Sequence, residues 1–405
     1  MHKSILVVFT FVTACSSALG QSLNNSNATL KTKGAYNYLQ SLRTQADRSN
    51  NRILLGQYGS YNRPGYSDFT TLYWKLAQDQ DPVRYLALLG WSVGRTNLRD
   101  SYYYEDNIDL KNAVQQAAYF AEYHHCLVTL TWHAKNPWNV PQDKWTGPSE
   151  LSWKAWTAKD LRGTKGGPVD LKTLLPGKGS RPKGAYREQW LVMLNEMADG
   201  LEKLQEQGHT VLWRPFHEMN GDTSEGGFFW WCNQNGEDFK ELWIDMFDHF
   251  TRTRKLNNLI WIWSAFDSAG HKPYQDYYPG PTYVDVLGVD VYKDPADFSI
   301  GDVGWLRERS EKEFKPAVIA ELGPNQRKDH RVSFKEYIAK MSQPKYDFFI
   351  AVMAWNDWDE DEDPKRTPDV FCSIYENSAH GDNILNLPIV ISKEELPALS
   401  QPLGK

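Results

Sequence analysis

Cysteine is scarce in this chain: four residues among 405, at positions 15, 126, 232 and 372. So few thiols exclude a disulfide-built scaffold, and their spacing fits no zinc site. A basic excess is missing too. Lys and Arg number 45 against 51 Asp and Glu, a formal net charge of −6, which leaves no electrostatic footprint for nucleic acid. Beyond the first residues no apolar run is long enough to span a bilayer. Neither G-x-G-x-x-G nor a P-loop occurs, so no nucleotide cradle is present. G-x-S-x-G and HExxH are absent as well, which removes the usual signs of a serine hydrolase and of a zinc protease. No repeat or low-complexity linker marks off a second domain.

The N-terminus reads as a targeting segment. Met1-His2-Lys3 is a short basic start, residues 4–12 are apolar, and Ala18-Leu19-Gly20 precedes a cleavage point before Gln21. Residues 1–20 are therefore expected to be a signal peptide, residues 21–50 a leader and helix, and residues 51–400 the catalytic domain. Val12-Thr13-Ala14-Cys15 allows a second reading, a lipoprotein box that would anchor the chain by lipid at Cys15. The expectation is a secreted, extracellular monomer, with a membrane as partner only if Cys15 is lipidated. After cleavage, Cys126, Cys232 and Cys372 permit at most one disulfide.

What the chain has in quantity is rings: 17 Trp, 21 Tyr and 17 Phe. A surplus of aromatics suits a ligand that is stacked rather than ion-paired, and sugars present flat C–H faces, so carbohydrate is the first ligand class to consider. Short apolar runs recur at 53–58, 84–91, 126–133, 210–218, 259–264, 284–292, 317–321 and 348–355. Helical patterns lie among them, such as 186–207 and 239–254, and one at 31–47 precedes them all. Eight buried strands alternating with helices predict a single α/β domain, a (β/α)8 TIM barrel. A Gly- and Pro-rich loop at 134–183 carries Trp138, Trp145, Trp153 and Trp156, and would overhang the C-terminal face where barrel active sites lie.

The residues closing the strands are then His133, His217, Glu218, Ser264, Asp290, Tyr292, Glu321, Trp355 and Asn356. Glu218 after the fourth strand and Glu321 after the seventh face each other across the mouth. Two carboxylates flanking a scissile bond are what glycoside hydrolysis needs. Arg214 reads either as their charge partner or as a structural ion pair. His133, His217 and Glu218 as metal ligands are the weaker reading, so no metal and no cofactor is expected. The acidic run 357–363 reads as a solvated loop, with calcium as the lesser alternative.

Trp213-Arg214-Pro215-Phe216-His217-Glu218-Met219-Asn220-Gly221, followed by Phe228-Phe229-Trp230-Trp231, resembles the signature of glycoside hydrolase family 26, mostly β-mannanases. Residues 53–57, 258–264, 290–292, 319–323 and 389–396 resemble that family's further segments in order. The resemblance implies a (β/α)8 fold and a retaining double displacement, with Glu218 as acid/base and Glu321 as nucleophile. It also implies that Tyr292 bonds the nucleophile, that His133 and His217 contact the sugar or position the carboxylates, and that Trp355 forms the platform under the −1 sugar. Phe228 or Trp230 would stack nearby, and Trp138 is placed with the substrate-binding residues. Phe228 stands where many members have Trp, and Asn356 where some carry an Arg that grips the −2 sugar. The expected substrate is a β-mannan-type polysaccharide, cut internally. An exo-acting mannobiohydrolase, a β-1,3-xylanase, a mixed-linkage glucanase and a non-catalytic carbohydrate-binding barrel remain as alternatives.

Overall fold

The computed structural model describes residues 22–43, 52–59, 69–95, 108–134, 137–138, 170–177, 185–221, 229–267, 270–357, 369–378 and 382–398. Eight parallel strands close on themselves: β1 (Ile53–Gly59), β2 (Leu88–Arg95), β3 (Leu127–Trp132), β4 (Val211–Pro215), β5 (Leu259–Phe266), β6 (Val286–Tyr292), β7 (Ala317–Gly323) and β8 (Phe349–Ala354). Closure comes where β1 pairs both with β8, Leu54 opposite Ala351, and with β2, Gly56 opposite Leu88. Two short strands, Ile108–Asp109 and Val390–Ile391, extend β2 and β1 outside the ring. Helices α1 (Leu30–Arg43), α2 (Phe69–Gln78), α3 (Leu110–Tyr123), α4 (Ala185–Glu206), α5 (Gly236–Asp248), α6 (Val303–Glu313) and α7 (Phe334–Met341) complete the plan, and only a 3-10 turn at Tyr274–Asp276 stands among the described residues between β5 and β6. Among the described residues no helix is long and apolar enough to cross a membrane.

Several boundaries differ from their expected places, and two of the shifts have a clear local reason. The second strand begins at Leu88, and past Trp91 the alternation of Ser92 and Val93 keeps pairing with Thr131 and Trp132. The fifth helix starts at Gly236 because the Asn235 side chain accepts from the Glu237 and Asp238 amides, and it widens into a π turn at His249–Thr253.

Strand period sorts the side chains into an outer layer against the helices and an inner layer filling the barrel. Leu54, Tyr58, Leu88, Leu212, Ile262, Val318 and Met353 belong to the inner set. The interior is too narrow for a side chain on every strand at one level. A Cβ at Gly90 would lie 2.6 Å from the Tyr58 ring, and one at Gly56 would lie 2.1 Å from the Met353 sulfur. These two glycines make the room that Tyr58 and Met353 occupy. Helix α1 closes the N-terminal end of the barrel, with Tyr36, Leu39 and Leu42 joining the inner core. Its contacts with the barrel rim include Thr32 Oγ1 to Thr210 Oγ1 at 3.0 Å and Gln40 Nε2 donating to the Phe314 carbonyl at 2.6 Å. With the bottom sealed, access to the interior is from the C-terminal face.

Candidate active site

The fourth strand delivers an arginine inward. Leu212 and Arg214 share one face of β4, and Arg214 has no exposed surface. Such a charge needs partners. Its Nη2 donates to Asp290 on β6 and, at 2.7 Å, to Oε1 of Glu321 on β7, while Nη1 donates to Thr131 Oγ1 at 2.8 Å and to the Tyr58 hydroxyl at 3.2 Å. Asp290 accepts in addition from Ser264 Oγ at 2.6 Å. Six strands thus contribute to one buried polar network, and both readings of Arg214 hold. It is a structural ion pair with Asp290 and a charge partner of a candidate catalytic carboxylate.

Glu321 reaches this network through an irregularity. Val318 and Ala320 both belong to the inner core, so strict alternation would turn residue 321 outward with Ile319. The register shifts between Ile319 and Leu322 against β8, and between Val289 and Asp290 against β7. The extra residue turns Glu321 inward opposite Asp290. Its second oxygen, Oε2, accepts from the Tyr292 hydroxyl at 2.5 Å. Burial, and then the charges of Glu321 and Glu218, hold the Tyr292 phenol well above its ordinary value, so it remains a donor.

Glu218 lies just past β4, on a turn in which Phe216 and Glu218 take left-handed φ angles of 48° and 57°. Its amide donates to the Ser264 carbonyl at 2.9 Å, and its carbonyl accepts from the Gly221 amide at 2.9 Å and from Cys232 Sγ at 3.0 Å. Asn220 then ties the turn to β5, accepting from the Phe266 amide at 2.7 Å and donating to the Phe266 carbonyl at 2.9 Å. Oxygens of Glu218, Asp290 and Glu321 lie within 4.8 Å of one another. Burial raises the Glu218 pKa well above the ordinary carboxylate range, and the charges of Glu321 and Asp290 raise it further against the pull of Arg214. The arginine holds Asp290 and Glu321 but not Glu218. Burial and its neighbours thereby favour the protonated form of Glu218, while Glu321 beside it accepts hydrogen bonds from Arg214 and Tyr292. A trio of carboxylates is also a pattern that can hold a cation, but here the Arg214 guanidinium already bridges two of the three.

Around the pair, the His133 and His217 rings meet edge to face at 4.6 Å, and the Phe229 ring lies 4.6 Å from His217 and 5.2 Å from His133. Ser92 Oγ bonds His133 Nδ1. Burial, followed by Arg214 and His133, holds His217 well below the ordinary imidazole value, so it is neutral at pH 7. Trp355 and Tyr292 remain half-buried at the mouth. Trp355 lies 4.8 Å from the Tyr58 ring, and its carbonyl accepts from Gln57 Nε2 at 2.7 Å.

Several expectations change. Trp230 has no exposed surface: its indole N–H donates to the Ala134 carbonyl at 2.9 Å, and its ring packs against Trp138, Trp190 and Phe216. Trp138 is buried as well and donates to Thr173 Oγ1 at 2.9 Å. In place of sugar-stacking surfaces, these two indoles form a wall behind the site, because an amphipathic ring whose N–H finds a partner is fully satisfied in the core. The ring that reaches the histidines is Phe229, stacked on Trp231 at 4.5 Å. Phe228 lies outside the described residues, as do Trp145, Trp153, Trp156 and residues 1–21. Asp357 is not part of a solvated acidic loop. It is buried and accepts from the Cys372 amide at 2.8 Å, the Ser373 amide at 2.7 Å and Ser373 Oγ at 2.8 Å. Residues 358–363 lie outside the described residues. Asn356 is buried and donates to the Asp357 carbonyl at 3.4 Å. Cys126, Cys232 and Cys372 are all free and buried. Sequence reasoning missed that Gln57 holds the Trp355 carbonyl and the Ile374 amide and that Asp357 holds residues 372 and 373; a Gln inside an apolar strand was the available signal.

A closed parallel barrel with an asymmetric carboxyl pair at the ends of β4 and β7 defines a glycoside hydrolase. More particularly, the chain belongs to glycosyl hydrolase family 26, whose family model matches residues 24–379. It is 31% identical over 383 residues to the mannan endo-1,4-beta-mannosidase A and B of Caldalkalibacillus mannanilyticus, which covers 88% of this chain and 64% of that protein. A mannan endo-1,4-beta-mannosidase from Bacillus subtilis is 30% identical over 368 residues, 87% of this chain and 86% of its own length. The solved structure of a Bacillus subtilis mannanase superposes with a TM-score of 0.67 at 25% identity, covering 92% of this chain and 95% of that one.

Proposed function

We propose that the chain is an endo-acting mannan endo-1,4-β-mannosidase that works by retaining double displacement on mannan, glucomannan or galactomannan. The observation that carries this reading is the approach of Glu218 and Glu321 oxygens to within 4.8 Å. Retaining enzymes hold their carboxyl groups about 5–5.5 Å apart, whereas inverting enzymes leave about 6.5–9.5 Å for a water. Glu321, held by Arg214 and Tyr292, attacks the anomeric carbon while Glu218 gives its proton to the departing glycosidic oxygen. A glycosyl ester on Glu321 results. Water then attacks the same carbon, returns its proton to Glu218 and releases Glu321 as carboxylate. Trp355 offers the −1 sugar its face, and His133 and the neutral His217 stand beside it to contact the sugar or position the carboxylates. The printed activities of the relatives support mannan as the polymer.

Cleavage of galactomannan and of an activated aryl mannoside by the wild type, Glu218→Ala and Glu321→Ala tests the assignment. Loss of Glu321 abolishes both activities. Loss of Glu218 harms the aryl substrate's first step less, since that leaving group needs little protonation. Near-normal polymer cleavage by either variant would overturn the roles, and early release of mannobiose alone would make the mode exo. We also infer a secreted monomer that has lost residues 1–20. The N-terminal sequence of the mature chain tests this, and a lipid found on Cys15 by mass spectrometry would replace secretion with anchoring.

A further inference from the structure

Helix α3 leaves two rings uncovered one turn apart: Tyr119 is 46% exposed and Tyr123 70%. They do not stand singly. Ring centroids run Tyr123 to Tyr119 at 5.3 Å, Tyr119 to His124 at 5.3 Å, His124 to Trp74 at 5.4 Å and Trp74 to Tyr85 at 5.2 Å, and His124, Trp74 and Tyr85 are all half-buried. This strip crosses from α3 to α2 at the N-terminal end of the barrel. His124 sits before β3 and His133 after it, so the six residues of β3 put about 20 Å between strip and catalytic mouth. The strip is no extension of the cleft.

Beside it opens a cavity of about 520 Å³ in which Lys31, Glu122, Lys393 and Glu394 surround an apolar floor that includes Ala121 and Leu396. Lys393 Nζ also stands 5.5 Å over the Tyr85 ring, which joins the cavity to the strip. Two cations and two anions give the surface no net attraction for an ionic partner, but they supply both donors and acceptors. Surface rings with polar edges, laid end to end beside a charge-balanced recess of donors and acceptors, match a long uncharged polyol with alternating apolar faces.

We propose that this strip, centred on Tyr119 and Tyr123, is a second carbohydrate site that holds the β-mannan polymer away from the catalytic mouth. The proposal rests on the mannanase reading for the identity of the polymer. Binding here adds to that of the cleft, so the enzyme stays on an insoluble substrate between cuts.

The test uses full-length protein depleted from solution by insoluble mannan, with Glu321→Ala to silence cleavage and mannotetraose present to fill the cleft. Adding Tyr119→Ala and Tyr123→Ala weakens the apparent Kd about tenfold, equivalent to about 1.4 kcal/mol. Adding Tyr119→Phe and Tyr123→Phe, which keep the rings, retains binding. In the active enzyme the two alanines leave mannotetraose cleavage and the melting temperature unchanged while slowing release from insoluble mannan. Equal depletion with and without the alanines would overturn the proposal. So would a wild-type dimer that the alanines convert to monomer, since the strip would then be a self-association surface. A wild type unable to cleave mannotetraose would sink the mannanase reading instead, with depletion still deciding the strip.

Discussion

Replacing Arg214 by Met keeps the volume of the side chain and removes its charge. In the wild type the guanidinium is fully buried and satisfies two carboxylates, Asp290 with no exposure and Glu321 at 3%. Breaking a buried pair from one side costs about 3–5 kcal/mol, because the remaining charge has neither partner nor water. Larger domains shift by about 2 °C per kcal/mol, so a drop in Tm of roughly 5–10 °C is expected at pH 8. The loss depends on pH with a definite sign. Burial already pushes Asp290 up to about 7, against the pull of Arg214, and the neighbouring Glu321 charge adds to the rise. A carboxyl whose folded pKa is raised contributes most stability below its unfolded value of about 4 and loses it as pH rises through the folded value. Without Arg214 the folded value climbs further, so the variant's deficit should be small at pH 5 and grow steadily toward pH 8. Activity falls too, by about 10²-fold in kcat/KM, the scale of removing one preorganised donor from a reacting anion. Melting curves at pH 5, 6, 7 and 8 with parallel kinetics on a mannooligosaccharide measure both effects. A Tm deficit equal at pH 5 and pH 8, or kcat/KM within a factor of three of wild type, would refute the argument.

On the proposed assignment the alkaline limb of kcat/KM belongs to Glu218, whose protonated form would donate to the leaving group. Asp290→Asn removes one charge that raises it and frees Arg214 to lower it, so the limb moves to lower pH; an unmoved limb counts against the assignment. Asp357 is pushed up to about 6 by burial despite its bonds to Ser373 and Cys372, so Asp357→Asn keeps most acceptors and stays near wild-type stability at pH 8. Asp357→Ala orphans two buried amides and a hydroxyl and loses about 2–4 kcal/mol, readable by denaturant unfolding. At Gly90 a side chain meets the Tyr58 ring, so Gly90→Val lowers stability by about 1–3 kcal/mol in the same assay, and an unchanged midpoint would show that the inner layer is looser than described.

The eight strands were legible because each is a short apolar run buried on both faces, and their order alone brings residues 218 and 321 to one mouth. The polar network was legible only in part. Arg214 stood out as a charge inside an apolar run, but its partners lie 76 and 107 residues away, and nothing local announces them. The inward turn of Glu321 depends on a register shift, and a two-residue period by itself places that side chain outside. Trp138 and Trp230 misled for a different reason. An indole on a site-forming loop has the same composition signal whether its face is bare or packed, and only the hydrogen bonds to Thr173 and Ala134 decide. Asp357 misled by its company: six acidic or aromatic neighbours read as solvated, whereas two amides and a hydroxyl from residues 372–373 draw that one carboxylate inside.

The left-handed turn at Phe216 and Glu218 carries a consequence of its own. Each side chain with a Cβ held in that region costs about 1–2 kcal/mol that glycine would not. Glu218 adds the cost of a buried carboxyl that Arg214 does not bond. The turn works against the fold at the residue proposed as the acid/base. Glu218→Gly should therefore give a protein that melts higher than the wild type while losing cleavage of the polymer, the stability–activity trade-off condensed into a single position. Screening variants at this position for thermal resistance alone would enrich the chains that have lost polymer cleavage.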